Sequence, residues 1–207
     1  YLFVFLGDLI DSVKPAGTFK VLDVGGATGK FSQYLKRRFP ESRNSAKDNL
    51  ELMISEAQRT VSDCQFFVGS ALSKESFLQE EYDIVTSSGV FSVFDKIEKP
   101  LCNILSSIRK GGTAIISTLI NNDPIDIINQ YKRSDIDTDG VWQKGWNIFS
   151  VSTFETVIQK IDSNLKWQWH PFELPFALEK GDDPMRTWII NTECCPHQLV
   201  NGACQLV

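Results

Sequence analysis

The stretch Val21-Leu22-Asp23-Val24-Gly25-Gly26-Ala27-Thr28-Gly29-Lys30-Phe31 decides the reading of this chain. An apolar run ends near an aspartate, crosses a loop of small residues and restarts as an amphipathic segment reaching Phe39. That order predicts a buried strand, a tight turn and a helix whose N-terminal N–H groups stay open to a ligand. The glycines tolerate positive φ and let a ligand approach where a Cβ would collide.

Two ligand classes use this outline. Dinucleotide sites need G-x-G-x-x-G directly after the strand. Gly26-Ala27-Thr28-Gly29 fits the G-A-T-G-x-x-G variant of some NAD(P)-dependent reductases, but Ser32 stands where the last glycine belongs. Asp23 would also set negative charge beside a pyrophosphate. Asp23-x-Gly25-x-Ala27-x-Gly29 instead resembles the first motif of class I S-adenosylmethionine-dependent methyltransferases, acidic-x-Gly-x-Gly-x-Gly, with alanine at the middle glycine. A carboxylate suits that ligand, which carries a sulfonium and an ammonium.

Further motifs in order strengthen the resemblance. Cys64-Gln65-Phe66-Phe67-Val68 reads as a third strand closed by Gly69-Ser70-Ala71, where the family carries an acid for the adenine amino group and this chain has Ser70. Tyr82 to Phe91 resembles the family's fourth strand, with Ser87, Ser88 and Gly89 as its small-residue exit. Leu101 to Ile108 is expected as a helix stopped by Arg109-Lys110-Gly111-Gly112, with a fifth strand over Thr113 to Leu119. The second strand is the exception: Glu41 to Asn49 has no apolar run. Opening a parallel sheet beside its first strand is costly, so the numbering is expected to close over missing residues between about Pro40 and Lys47. Asp48 is then only a substitute for the acid that holds the ribose hydroxyls.

The resemblance implies an α/β chain of Rossmann-like methyltransferase fold. Its mostly parallel seven-stranded sheet would have helices on both faces and end in an antiparallel hairpin. Residues 1–207 are expected as one domain, with a cofactor core over 1–119 and a substrate-roofing insert and terminal strands over 120–207. The implied cofactor is S-adenosylmethionine, with S-adenosylhomocysteine as product. Asp23 would orient its methionine amine, and Gly25, Gly26, Ala27, Thr28 and Gly29 would approach it by backbone. Ser70 and Ala71 would meet adenine, and Ser87 to Gly89 would flank the sulfonium. The rival readings are the reductase, and a methyltransferase-like subunit with a decayed pocket. The reductase requires Tyr-x-x-x-Lys, which neither Tyr34 nor Tyr131 provides.

The flanks are read from periodicity. Leu2 to Val13 repeats at helical spacing and stops at Pro15-Ala16-Gly17. A helix is expected from Pro124, and a polar acidic loop over Ser134 to Gly140. Ser152 and Glu155 form a capping-box pattern for another helix. Trp167 to Phe172 and Thr187 to Thr192 are expected as strands, with Asn201-Gly202 as the turn of an extra edge pair. Phe91, Trp142 and Trp146 are candidate substrate contacts, the aromatics also being natural core or plug residues.

Of the two histidines, His170 is the one candidate general base, a structural role being the alternative. His197 lies near Cys194, Cys195 and Cys204, but the C-x-x-C spacing of zinc sites is missing and no metal is expected. A net charge of −5 argues against a general nucleic-acid or anionic-membrane partner. The Lys36-Arg37-Arg38 run reads as a helix end complementing its dipole. Five cysteines without a paired framework, and no signal-peptide pattern, point to a reducing cytoplasmic setting. A small-molecule acceptor is expected.

Overall fold

The computed structural model describes residues 1–132 and 140–176, together with the backbone of 187–190 and 198–201. Its centre is β1 (Lys20–Val24), which pairs in parallel with β2 (Arg43–Asp48) on one side and β4 (Tyr82–Ser88) on the other. With β3 (Cys64–Val68) and β5 (Ile108–Ser117) the sheet runs β3-β2-β1-β4-β5. The chain walks outward from β1 to β3 and then returns to β4 on the opposite flank. Their carboxyl ends therefore part at a topological switch point between β1 and β4.

Alternation along the strands separates the two faces. Val21 and Ile84 pack beneath α1 (Leu2–Val13) and α2 (Lys30–Arg38) through Leu6, Ile10, Phe31 and Leu35. Ala46 and Phe66 meet Ile54 and Ala57 of α3 (Glu51–Thr60). Leu22, Val24 and Val85 face α4 (Glu98–Ser106) and α5 (Val151–Ile161) through Leu101, Ile104, Phe154 and Val157.

The second strand is present, which overturns the expectation of missing residues between Pro40 and Lys47. Arg43–Asp48 pairs residue for residue with β1, Lys20 to Arg43 through Val24 to Lys47, and on its other side with β3. A central strand needs its ladder completed on both edges more than it needs large apolar side chains. Here Asn44, Ala46 and Lys47 are buried although no apolar run marks them. The neighbouring Phe66, Ile54 and Val61 supply the hydrophobic burial instead.

Other boundaries move for local reasons. The fourth helix ends at Ser106 because the Ser107 N–H and hydroxyl both return to the Ile104 carbonyl, at 3.1 and 2.7 Å. Ile108 then pairs with Tyr82, and Arg109–Gly112 form a bulge before Thr113 rejoins Ile84. Arg109 pairs with Asp83 within this bulge.

No helix begins at Pro124. Ile127 instead bridges Ile148, and Gln130–Tyr131 pairs with Gln143–Lys144. The cap of α5 is Ser150, whose Oγ accepts from the Thr153 N–H at 3.1 Å, two residues before the expected Ser152. Glu155 accepts instead from the Trp167 and Trp169 indole N–H groups, both at 3.1 Å. That mooring leaves Trp167–Phe172 without strand structure.

The described sheet has five strands rather than seven, and Thr187–Ile190 pairs antiparallel with Gln198–Asn201 in a separate ladder. Most of the Ser134–Gly140 loop, Gly202 and His197 with Cys194, Cys195 and Cys204 lie outside the described residues.

Candidate functional site

The turn after β1 is tied to β2 by one carbonyl: the Gly25 and Gly26 N–H groups both donate to Lys47 O, at 2.8 and 3.0 Å. Gly25 sits at φ +80°, and a Cβ there would lie 2.1 Å from Val90 Cγ2. Gly29, at φ +76°, ends the turn against the Phe66 ring, where a Cβ would come within 2.9 Å. Both positions demand glycine. No side chain caps the N-terminus of α2, so its first N–H groups and dipole face the turn. Ala27, exposed, and Thr28, half-buried, form the tip.

Asp23 lies under this turn, 3% exposed. Its Oδ1 accepts from Thr86 Oγ1 at 2.9 Å, across the β1–β4 register. Burial pushes its pKa up to about 6; the Thr86 hydrogen bond opposes that shift and the Asp48 charge adds to it. A carboxylate so desolvated is poised for a cation that would restore its ordinary acidity.

Because β2 exists, Asp48 stands at the carboxyl end of the neighbouring strand. Its Oδ2 accepts from the Ala27 N–H at 3.1 Å and Oδ1 from the Leu50 N–H at 2.9 Å. Its carbonyl accepts from the Gly69 N–H at 2.8 Å, which fixes the start of the turn after β3. Within that turn Ser70 Oγ accepts from the Leu72 N–H at 3.1 Å, and the buried Ala71 carbonyl accepts from Asn103 Nδ2 at 2.9 Å. On the other flank, Ser87 is buried with its hydroxyl unpartnered among the described residues, Ser88 is half-buried and Gly89 is exposed at φ +72°. The structure thus gathers Asp23, the Gly25–Gly29 turn, Asp48, Ser70, Ala71 and Ser87–Gly89 along one end of the sheet.

The later candidates separate. Phe91 is fully buried, with Phe154 at 5.5 Å and Phe94 at 6.4 Å between ring centroids, so it serves the core. Trp142 and Trp146 are exposed, on a segment anchored to the connection after β4. Asn147 makes that anchor: its N–H donates to Ser92 O and Nδ2 to Phe94 O, both at 2.7 Å, while Oδ1 accepts from the Asn129 N–H at 2.8 Å. Lys144 adds an ion pair to Asp95. His170 is exposed and makes no hydrogen bond to the turn. Cavities of about 470 Å³ (Tyr1, Phe5, Phe172) and about 410 Å³ (Cys102, Val157, Ile161) lie away from the switch point. The site itself is an open shelf.

Three contributors have little sequence signature. Thr86 is recognisable only through register, Lys47 looks like a surface lysine, and Asn147 is one polar residue among aromatics.

An open parallel sheet with a glycine turn over a buried acid at the switch point defines the class as a Rossmann-like α/β protein. Residues 21–112 match the family described as "Methyltransferase domain". Residues of this chain are 24% identical over 101 positions to a malonyl-[acyl-carrier protein] O-methyltransferase of Priestia megaterium, covering 49% of the chain and 37% of that relative. Structures with the same fold include Streptomyces venezuelae DesVI, at 13% identity and TM-score 0.56 over 77% of this chain and 81% of that one. Another is an S-adenosylmethionine-dependent methyltransferase of Mesorhizobium loti, at 14% identity and TM-score 0.55 over 75% and 79%. Residues 21–112 thus resemble a methyltransferase domain, and the fold is shared with S-adenosylmethionine-dependent methyltransferases. The chain spans less than half the length of the curated relatives it matches first.

The residues present fit that cofactor. A buried carboxylate, an uncapped helix N-terminus beside a turn that only glycine can make, and a second acid one strand away are the groups its ammonium, carboxylate and ribose hydroxyls require.

Proposed function

We propose that this protein transfers a methyl group from S-adenosylmethionine to an oxygen or nitrogen of a small-molecule acceptor. The observation that carries the reading is Asp23: a buried, hydrogen-bonded carboxylate under an open glycine turn has a use only if a cation comes to it. Asp23 orients the methionine amine, Gly25–Gly29 approach by backbone, and Asp48 accepts from the ribose hydroxyls. Ser70 and Ala71 receive adenine, while Ser87, Ser88 and Gly89 line the sulfonium side. Trp142 and Trp146 belong to the acceptor's roof, with Phe91 supporting it from the core. Residues 1–119 form the cofactor core of one domain, and 120–207 its roof and terminal strands. The cysteine pattern favours a reducing cytoplasmic setting.

The cofactor supplies the electrophilic methyl group, displaced in line. The chain's part is alignment and exclusion of water, and alignment in near-attack geometry is worth about 7–11 kcal/mol. No base on the shelf is required, and exposed His170 stays outside the proposal. The curated relatives named for malonyl-[acyl-carrier protein] O-methylation make oxygen the first acceptor atom to screen.

Thermal unfolding with S-adenosylmethionine, S-adenosylhomocysteine and NADPH in parallel tests the reading. At about 100 times its dissociation constant a ligand adds roughly 2.7 kcal/mol. Stabilisation by the first two alone is expected. A shift with NADPH alone would transfer the site to the reductase reading.

A further inference from the structure

Lys47 is 4% exposed, near the end of a strand whose interior position a lysine seldom occupies. No carboxylate pairs with it among the described residues, and burial lowers its pKa to about 8. A buried cation without a counterion is costly, so its remaining contacts are informative. Its Nζ donates to the Ser76 carbonyl and lies 3.7 Å from the centroid of the Phe77 ring. A Cβ added at Gly69 would sit 3.9 Å from the same nitrogen. All three contacts belong to the connection that follows β3. Meanwhile the Lys47 carbonyl accepts both N–H groups of the glycine turn. One residue therefore holds the two sides of the shelf, the turn by its main chain and the 69–77 connection by its side chain.

We propose that Lys47 is a positioning residue for the adenine half of the cofactor site, its ammonium holding the Gly69–Phe77 connection in the shape that receives the base. This rests on the assignment of Ser70 and Ala71 to adenine. The ammonium is a donor to a carbonyl and a cation over an aromatic face, two interactions that a methionine of similar length cannot make. The lysine stem can be replaced without a void, whereas the tether cannot.

The test is calorimetric binding of S-adenosylhomocysteine and of S-ribosylhomocysteine, which lacks the base, to the full chain and its Lys47→Met variant. The variant is expected to lose about tenfold in affinity for the first ligand and none for the second, with partial recovery in Lys47→Arg. If Lys47→Met does not fold, Lys47→Leu, which likewise has neither donor nor charge, takes its place in the same comparison. Unchanged S-adenosylhomocysteine affinity overturns the proposal, and so does an equal loss for both ligands, which would mark general damage. Failure of the unsubstituted protein to bind S-adenosylhomocysteine at all is a different result: it would remove the cofactor reading itself.

Discussion

The parallel-sheet half of this protein and the segment that follows it are held together by different bonds. Between residues 20 and 117, five parallel strands exchange main-chain hydrogen bonds, and the functional side chains project from their ends. Between residues 120 and 150 the pairings are two residues long, and side chains hold the backbone. Asp126 accepts from the Ser150 N–H and the Thr153 hydroxyl, both at 2.7 Å, and Asn147 spans three carbonyl or amide groups. A ladder fixes many residues at once, so a common ligand can be met with little variation. A scaffold of single amide bonds can be re-spaced by single substitutions, as loops on a rigid sheet commonly are.

The sharpest way to break this contrast is Asp23→Asn. The amide keeps the shape and a bond to Thr86 but removes the buried charge. S-adenosylhomocysteine affinity should fall about a hundredfold, from loss of a charge-assisted bond of up to about 3 kcal/mol, while thermal stability holds or rises. A parallel fall in stability would show the acid to be structural.

The pH dependence separates the same two quantities. The native pKa of Asp23, about 6, lies above the ordinary aspartate value of 3.8. Its contribution to stability is therefore complete below about pH 3.8 and lost as pH rises through 6, on the order of 3 kcal/mol. Cofactor affinity should move oppositely, rising through that window as the carboxylate ionises. Melting curves and titrations between pH 4.5 and 7.5 read both slopes, and equal signs would contradict the assignment.

Glycines compare the two regions directly. Gly25→Ala meets both a φ of +80° and Val90, and should cost about 2–3 kcal/mol. Gly140→Ala, at φ +74° with only Lys132 Nζ at 4.0 Å, should cost about 1 kcal/mol. Denaturant midpoints decide, and equal losses would erase the difference in rigidity.

Asn147→Ala removes the hydrogen bonds to the Phe94 carbonyl and from the Asn129 N–H, for about 2 kcal/mol. Hydrogen exchange should quicken in residues 127–132 and 140–148 with S-adenosylhomocysteine affinity unchanged. Smallest is Ser150→Ala at the cap of α5, about 1 kcal/mol. The same measurement in the two variants ranks the bonds that hold the segment between β5 and α5.

Much of the parallel-sheet half could be read in order along the chain, because its signals are local. Val21 to Phe31 announces strand, turn and helix within one window, and Cys64–Val68 and Tyr82–Ser88 carry their own apolar runs. The reading failed at Arg43–Asp48, where Asn44, Ser45 and Lys47 argue against a strand that its two neighbours nevertheless impose. It failed again after Ile120. Pro124 looked like a helix start, but Asn121 donates to the Ile125 carbonyl four residues on, and Asp126 and Asn129 bind backbone groups of the 146–150 stretch, which draws the chain out extended.

By itself the sequence determined the class of fold and the strand, turn and helix around Asp23. Asp23 and the Gly25–Gly29 turn act through neighbours in the chain, and local geometry follows from local residues. Tertiary structure decided the rest. It placed Thr86 opposite Asp23, made a strand of a polar stretch and so brought Asp48 to the shelf, and buried Lys47 where its two ends reach different loops. Each of these depends on register between segments distant in sequence. Register is settled by the summed burial and hydrogen bonding of whole strands, a quantity that no single window of residues contains.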